Sequence, residues 1–182
     1  MIFTAFGLLA LIVPATAIAQ FQPSTEYQVK AAYLSGFTKF VSWPGDDPPG
    51  EEPVFIVGIV GEDPFGPALN EAFAGAQVEG HRVRVDIEHL RWDQNLRDCQ
   101  AIFVSKSEHK HLRAILTNLK GADVLTVSDI ENFSSDGGMI ELVFDVDRIR
   151  FEINLDAANA SHLRISSKLL RLARSVKGEP AR

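Results

Sequence analysis

The sequence predicts an α/β domain: a mostly parallel central sheet flanked by helices, closing in a C-terminal β-hairpin and a terminal helix. Three observations predict it. Val54–Val60 and Ala101–Val104 are unbroken apolar, β-prone runs, the pattern of strands buried on both faces. Helix-periodic segments alternate with such runs, as crossovers between parallel strands require. Further on, two β-prone runs follow one another with no helix between them, which reads as an antiparallel pair.

The first nineteen residues stand apart. Met1 to Ala19 carries no charged side chain, and its apolar run ends at Pro14. Ala17-Ile18-Ala19 fits the small-x-small pattern of signal-peptidase cleavage. The run is shorter than the roughly 20 apolar residues that cross a bilayer. It reads as a secretory signal peptide cut after Ala19, although no Lys or Arg precedes it; the alternative is a retained anchoring helix. Residues 20–182 then form a single domain, long enough for its own core.

Within that domain, Pro23 and Ser24 open a helix, with Ser24 as its cap. Val29, Tyr33, Phe37, Phe40 and Val41 form its apolar stripe, and Trp43-Pro44 ends it. Gly45–Pro53, rich in proline, glycine and acids, is a solvated loop. Strand Val54–Val60 turns through Gly61–Gly66 into a helix near Phe65 to Ala74. Val83, Val85 and Ile87 alternate with charged residues, so that strand has a wet face. Ala101–Val104 is a third strand. Leu112, Ile115, Leu116 and Leu119 mark a helix closed by Gly121, and Val124–Val127 a fourth strand. Met139–Val146 and Ile149–Asn154 form the hairpin, joined at Asp147-Arg148. One helix, from about Ala157 to Val176, finishes the chain.

The net charge of −6 argues against nucleic acid as a partner, which needs a basic face. The single cysteine, Cys99, cannot form a disulfide within the chain and reads as a packed small hydrophobe. His109 and His111, two apart on a helix, point to different faces, and the other histidines are scattered. No serine lies in a nucleophile elbow and no carboxylate pair stands out. No metal, cofactor or catalytic constellation is therefore expected, and the chain reads as a non-enzyme.

Two sets of residues remain as candidate sites. Glu62, Asp63 and Phe65 lie where a buried strand passes into a helix, a place where α/β sheets bind small ligands. A plainer reading explains the same turn, with Asp63 as N-cap and Pro64 at the first helical position. The other set would meet a protein partner. Glu152 and Asn154 put polar groups on an otherwise apolar strand, Trp43 lies at a helix end, and Arg164, Lys168 and Arg171 form a basic stripe on the terminal helix. Each also has a plain reading, as a solvated strand face, a core aromatic or the wet side of a helix.

Four segments together resemble a known family. They are Glu26–Pro44, Gly58–Gly66, Cys99–Val104 and the discontinuous block of Leu125–Asp129, Gly137–Ile140, Phe151–Leu155 and Ser166–Ala173. They are similar, in order, to the YfiR family of periplasmic proteins. The resemblance implies a periplasmic α/β domain that binds the periplasmic part of an inner-membrane sensor or diguanylate cyclase and represses cyclic-di-GMP synthesis, and so controls biofilm formation. It implies neither stable membrane insertion nor a cofactor, and it leaves a homodimer open. The family's repressor uses disulfides; with Cys99 alone, redox regulation of that kind does not carry over. The second function class is a periplasmic small-ligand binding protein feeding a sensor or transporter.

Overall fold

The computed structural model describes residues 25–45, 53–78 and 81–179. The expected leader at Met1–Ala19, the Ser24 cap and most of the proline-rich loop lie outside them. The chain begins with α1 (Thr25–Phe37) and a short β1 (Val41–Ser42), then β2 (Val54–Val60) and α2 (Pro67–Phe73). A small hairpin of β3 (Gln77–Val78) and β4 (His81–Arg82) precedes β5 (Arg84–Leu90). β6 (Ala101–Val104) passes through a 3-10 turn, Lys106–His111, into α3 (Leu112–Leu119). β7 (Leu125–Ser128) leads by an irregular loop to β8 (Ile140–Asp145) and β9 (Arg148–Asn154). The chain closes with α4 (Leu155–Ala160), β10 (Arg164–Ile165), α5 (Ser167–Leu172) and β11 (Ser175–Lys177).

Seven strands form the central sheet, in the order β11-β9-β8-β7-β6-β2-β5. Every neighbouring pair is parallel except β8 and β9. The sheet is doubly covered, which is why its inner strands are apolar on both faces. On one face α1 and α2 pack over Phe55, Val57, Ile59, Phe103 and Val127. On the other α3 packs over Val60, Ile102 and Val104. Burying side chains of this size contributes about 1.5–3 kcal/mol each. β5 is an edge strand with Val85 and Ile87 half-buried, the wet-faced strand that the alternation predicts.

Four expectations are corrected. The first helix ends at Phe37, and Val41 belongs to β1, paired with Ile165. Its buried face is Ala31, Leu34 and Phe37 together with Lys30, while Val29 is 40% exposed. The second helix starts at Pro67 with Gly66 in the cap position, at φ 54°. Asp63 does not cap it; its carboxylate accepts from Phe65 N at 2.8 Å, a local turn before the helix.

The terminal helix is broken in two. α4 ends where His162 takes φ 56°, with His162 N donating to Asn159 O and Leu163 N to Ala158 O. That is a Schellman stop built without glycine. Ser166 then caps α5 through Leu169 N, and β11 returns as a parallel edge strand on β9. Finally, the hairpin turn is Val146-Asp147, not Asp147-Arg148. Both residues have positive φ, 38° and 66°, as a two-residue turn of this twist demands.

Candidate functional site

The carboxyl ends of β6 and β7 open into a charged cleft of about 400 Å³. Its construction starts at Ser128, the last residue of β7. Ser128 Oγ donates to Val104 O at 2.6 Å and accepts from Ile130 N at 3.0 Å. This sharp, doubly bonded turn seats Asp129 against the first turns of α1.

There Asp129 Oδ2 accepts from Lys30 Nζ at 2.5 Å and from the Tyr27 hydroxyl at 2.9 Å, with Lys106 Nζ at 3.5 Å. Lys30 Nζ also donates to Glu26 at 2.5 Å and sits 4.3 Å from the Tyr27 ring centroid. The side chains of Lys30 and Asp129 are each only 2% exposed. Unpaired buried charges would cost several kcal/mol, so the pair exists as a unit. All three donors crowd one carboxylate oxygen. Asp129 Oδ1, also buried, has no hydrogen-bond partner among the described residues. Burial first, and then the bond to Asp129, pushes the Tyr27 phenol above its ordinary pKa.

Glu141 on β8 is buried beside this cluster. Its carboxylate accepts from Asn132 N, Ser134 N and Ser134 Oγ, each at 3.0 Å, and so pins the loop that leads away from Asp129. Across the hairpin Glu141 stands in register with Glu152, and Arg174 Nε lies 3.4 Å from Glu152 Oε1. The cleft is thus lined by carboxylates that accept and by Lys30, Lys106 and Arg174 that donate. Among the described residues its one buried side-chain atom without a partner, Asp129 Oδ1, is an acceptor, suited to an N–H donor or an organic cation. Among the described residues no set of three His, Cys, Asp or Glu side chains is placed to hold a metal.

The structure distributes the sequence candidates over several places. Glu152 lines the cleft, where it faces Arg174 from beyond α5. Asn154 is buried and engaged at both ends of its amide, accepting from Ala157 N at 3.1 Å and donating to Ser134 O at 2.7 Å. Trp43 is half-buried, edge-on to Phe55, with Nε1 donating to Gln100 O at 2.9 Å. Arg164, Lys168 and Arg171 are exposed but fall on β10 and α5, so the stripe expected on one helix does not form.

Phe65 is fully buried between Tyr27 and Phe103 and belongs to the core. Glu62 is exposed, its N–H donating to Ser107 Oγ, and Asp63 Oδ2 lies 3.1 Å from His89 Nε2. These three do not line the cleft. Cys99 is buried, and burial, ahead of the Glu88 and Asp98 carboxylates, pushes its thiol up to about 11.

Sequence reasoning missed Lys30, Asp129 and Glu141. The available signal was that Glu26–Lys30 and Leu125–Asp129 both lie within the segments that carry the family resemblance.

Two solved structures share the fold. One is a conserved domain protein from Vibrio cholerae O1 biovar El Tor, 12% identical, with TM-score 0.52 over 67% of this chain and 54% of that one. The other is an ABC domain in complex with L-Trp from Streptococcus pneumonia, 12% identical, with TM-score 0.56 over 80% of this chain and 60% of that one. At that identity the likeness is one of fold, and the chain spans little more than half of each. The YfiR/HmsC-like family model, by contrast, matches residues 27–174, from Tyr27 at the cleft to Arg174 at its far wall, and the chain belongs to that family.

Proposed function

We propose that this chain is a non-enzymatic periplasmic regulator. It binds the periplasmic part of an inner-membrane signalling protein, a diguanylate cyclase, and holds it in its inactive state. The observation that carries the reading is the family match over residues 27–174, since the family is periplasmic and regulatory rather than catalytic. The cleft agrees with it. Its Asp129 and Glu141 carboxylates are engaged by Lys30, by Tyr27 and by N–H and hydroxyl groups of the loop that follows β7. No helix among the described residues is long and apolar enough to cross a membrane. Export with cleavage after Ala19 belongs to this reading, and mass spectrometry of the mature N-terminus reads it directly.

Repression of this kind works by differential affinity. The regulator must bind the inactive form better than the active one; full switching from 1:99 to 99:1 takes about 5.5 kcal/mol. The test is capture of the detergent-solubilised cyclase by the tagged mature chain, together with cyclic-di-GMP levels in cells with and without it. Enrichment over a control exported protein and a rise in cyclic-di-GMP on deletion are expected. No enrichment and no rise would refute the proposal.

A second reading, a small-ligand binding protein feeding a sensor or transporter, is favoured by the spare Asp129 oxygen in a cleft at the carboxyl ends of parallel strands. A thermal-shift screen separates the two. A ligand at 100 times its Kd adds about 2.7 kcal/mol of stability. A screen of nucleotides, amino acids and cofactors without a stabiliser would leave only the first reading.

A further inference from the structure

Among the described residues a further open place is a trough of about 900 Å³ between α3 and α4, away from the Lys30–Asp129 cluster. It exists because one crossover lacks its helix. Each right-handed parallel connection places its covering element on a fixed face, and the step from β7 to β8 belongs on the face that α3 covers. In place of a helix, residues 129–139 run as turns and bends. The sheet beyond α3 is left with a floor of Thr126, Met139 and Asn154. Leu116 of α3 and Ala160 of α4 face each other across it as apolar walls. The His162–Asp123 contact, Nδ1 to Oδ1 at 2.8 Å, ties the ends of the two helices together.

The charge on the rim decides the occupant. The chain as a whole carries −6, yet Lys110, Arg113, Lys120 and Lys177 surround this trough against Asp136 and Asp156. Among the described residues none of the four cations is in an ion pair, whereas Lys30, Lys106, Arg84, Arg91 and Arg174 all are. Apolar walls and Met139 under unpaired cations are complementary to an acidic amphipathic segment. The lining residues of α3 run from Leu112 to Leu119, the whole eight-residue helix, about 12 Å. That length admits about two turns of helix, and the small Ala160 wall lets a helix approach closely.

We infer that the α3–α4 trough is the docking site for an acidic amphipathic helix presented by the periplasmic part of the membrane partner. The inference rests on the regulator reading above and deepens it.

The test uses the mature chain and the double variant Arg113→Glu/Lys120→Glu. Both side chains are exposed, so the variant should keep its fold, as an unchanged circular dichroism spectrum and Tm verify. The probes are two labelled peptides of about 14 residues with identical leucine spacing, one with Glu and one with Lys on the polar face; oleate is the competitor. The Glu peptide should bind about 10-fold tighter than the Lys peptide, and the double variant should weaken it about 10-fold or more. Equal binding of both peptides, binding untouched by the double variant, or displacement of the Glu peptide by oleate, which would mark a lipid site, overturns the proposal. Capture of the cyclase separates this inference from the function it rests on. A cyclase held equally by wild type and double variant overturns the trough alone; one that wild type fails to hold overturns the regulator reading.

Discussion

Replacing Asp129 with leucine should destabilise the chain by about 3 kcal/mol. The reasoning starts from the geometry: two side chains 2% exposed, with Lys30 Nζ at 2.5 Å from the carboxylate. Removing one member of a buried ion pair typically costs about 3–5 kcal/mol, because the other charge stays behind in the interior. Here Lys30 keeps Glu26, whose side chain is 40% exposed, and the face of Tyr27, so the lower end of that range applies. In a chain of this size, about 3 kcal/mol lowers Tm by roughly 6–12 °C.

The companion variant, Lys30→Met/Asp129→Leu, removes both charges. It should recover to within about 1–2 kcal/mol of wild type, since apolar replacement of a whole buried pair is often neutral. Urea unfolding followed by the fluorescence of Trp43 and Trp92 measures all three proteins. An Asp129→Leu variant within about 1 kcal/mol of wild type, or a double variant no more stable than Asp129→Leu, would refute the view that Asp129 holds the Lys30 charge.

The Cys99 thiol, ordinarily at 9.0, titrates near 11 in the folded chain. The folded state therefore keeps a proton that the unfolded state releases, and this contribution to stability is full below pH 9.0 and lost as pH rises through about 11. Thiolate absorbance at 240 nm reads it, and full thiolate in the native protein at the ordinary value would contradict the burial argument. Tyr27, raised by burial and by Asp129, likewise contributes stability that is complete below about pH 10 and declines above it. A phenolate component at 295 nm that appears above the ordinary range should vanish in Tyr27→Phe; its persistence would assign it elsewhere. Asn154→Ala loses the cap on α4 and strands Ser134 O, which should cost about 2 kcal/mol in a urea titration. A loss of only a few tenths would show that water replaces both bonds. Val146 is β-branched, 86% exposed and at φ 38°. Val146→Asn should raise Tm by about 2–4 °C, near 1 kcal/mol; an unchanged or lower Tm would mean the turn is not strained by its side chain.

The parts of the fold written in local pattern were legible. Val54–Val60 and Ala101–Val104 are strands over those same residues, because burial on both faces leaves an unmistakable apolar run. α3 spans Leu112–Leu119, the span its leucine and isoleucine spacing marks. What was not legible depends on residues far apart in the chain. Glu26 and Lys30 look like an i,i+4 pair on a wet helix face; only Asp129, 99 residues away, makes Lys30 an interior side chain. The break near His162 was hidden because its stop uses histidine where glycine is the usual sign. Asn154 stood out as polar on an apolar strand, but its partners, Ala157 and Ser134, come from a following helix and a loop that periodicity does not join to it.

That loop connects the charged cleft and the α3–α4 trough. It begins at Asp129, whose carboxylate closes the charged cleft, and its far end, from Asp136 to Met139, lines the trough. Between these ends it has little apolar anchorage apart from Ile130 and Phe133, which pack beneath α3. Gly138 is required beside Phe133, since a Cβ there would overlap the ring. Its polar anchors are Glu141, which takes the N–H groups of Asn132 and Ser134, and Asn154, which takes Ser134 O. Both anchors lie on the β8–β9 hairpin, and in register with Glu141 is Glu152 at the cleft wall. A crossover helix in this position would have satisfied its own backbone and covered the sheet, leaving neither cleft nor trough. The turn-rich loop does each only in part, with Phe133, Asp136 and Gly138 N–H groups bonded within it, and for the rest its backbone leans on two buried side chains of the hairpin. The absence of one helix thus accounts for the buried polar residues on β8 and β9, for the trough beside α3 and for the seating of Asp129 against α1.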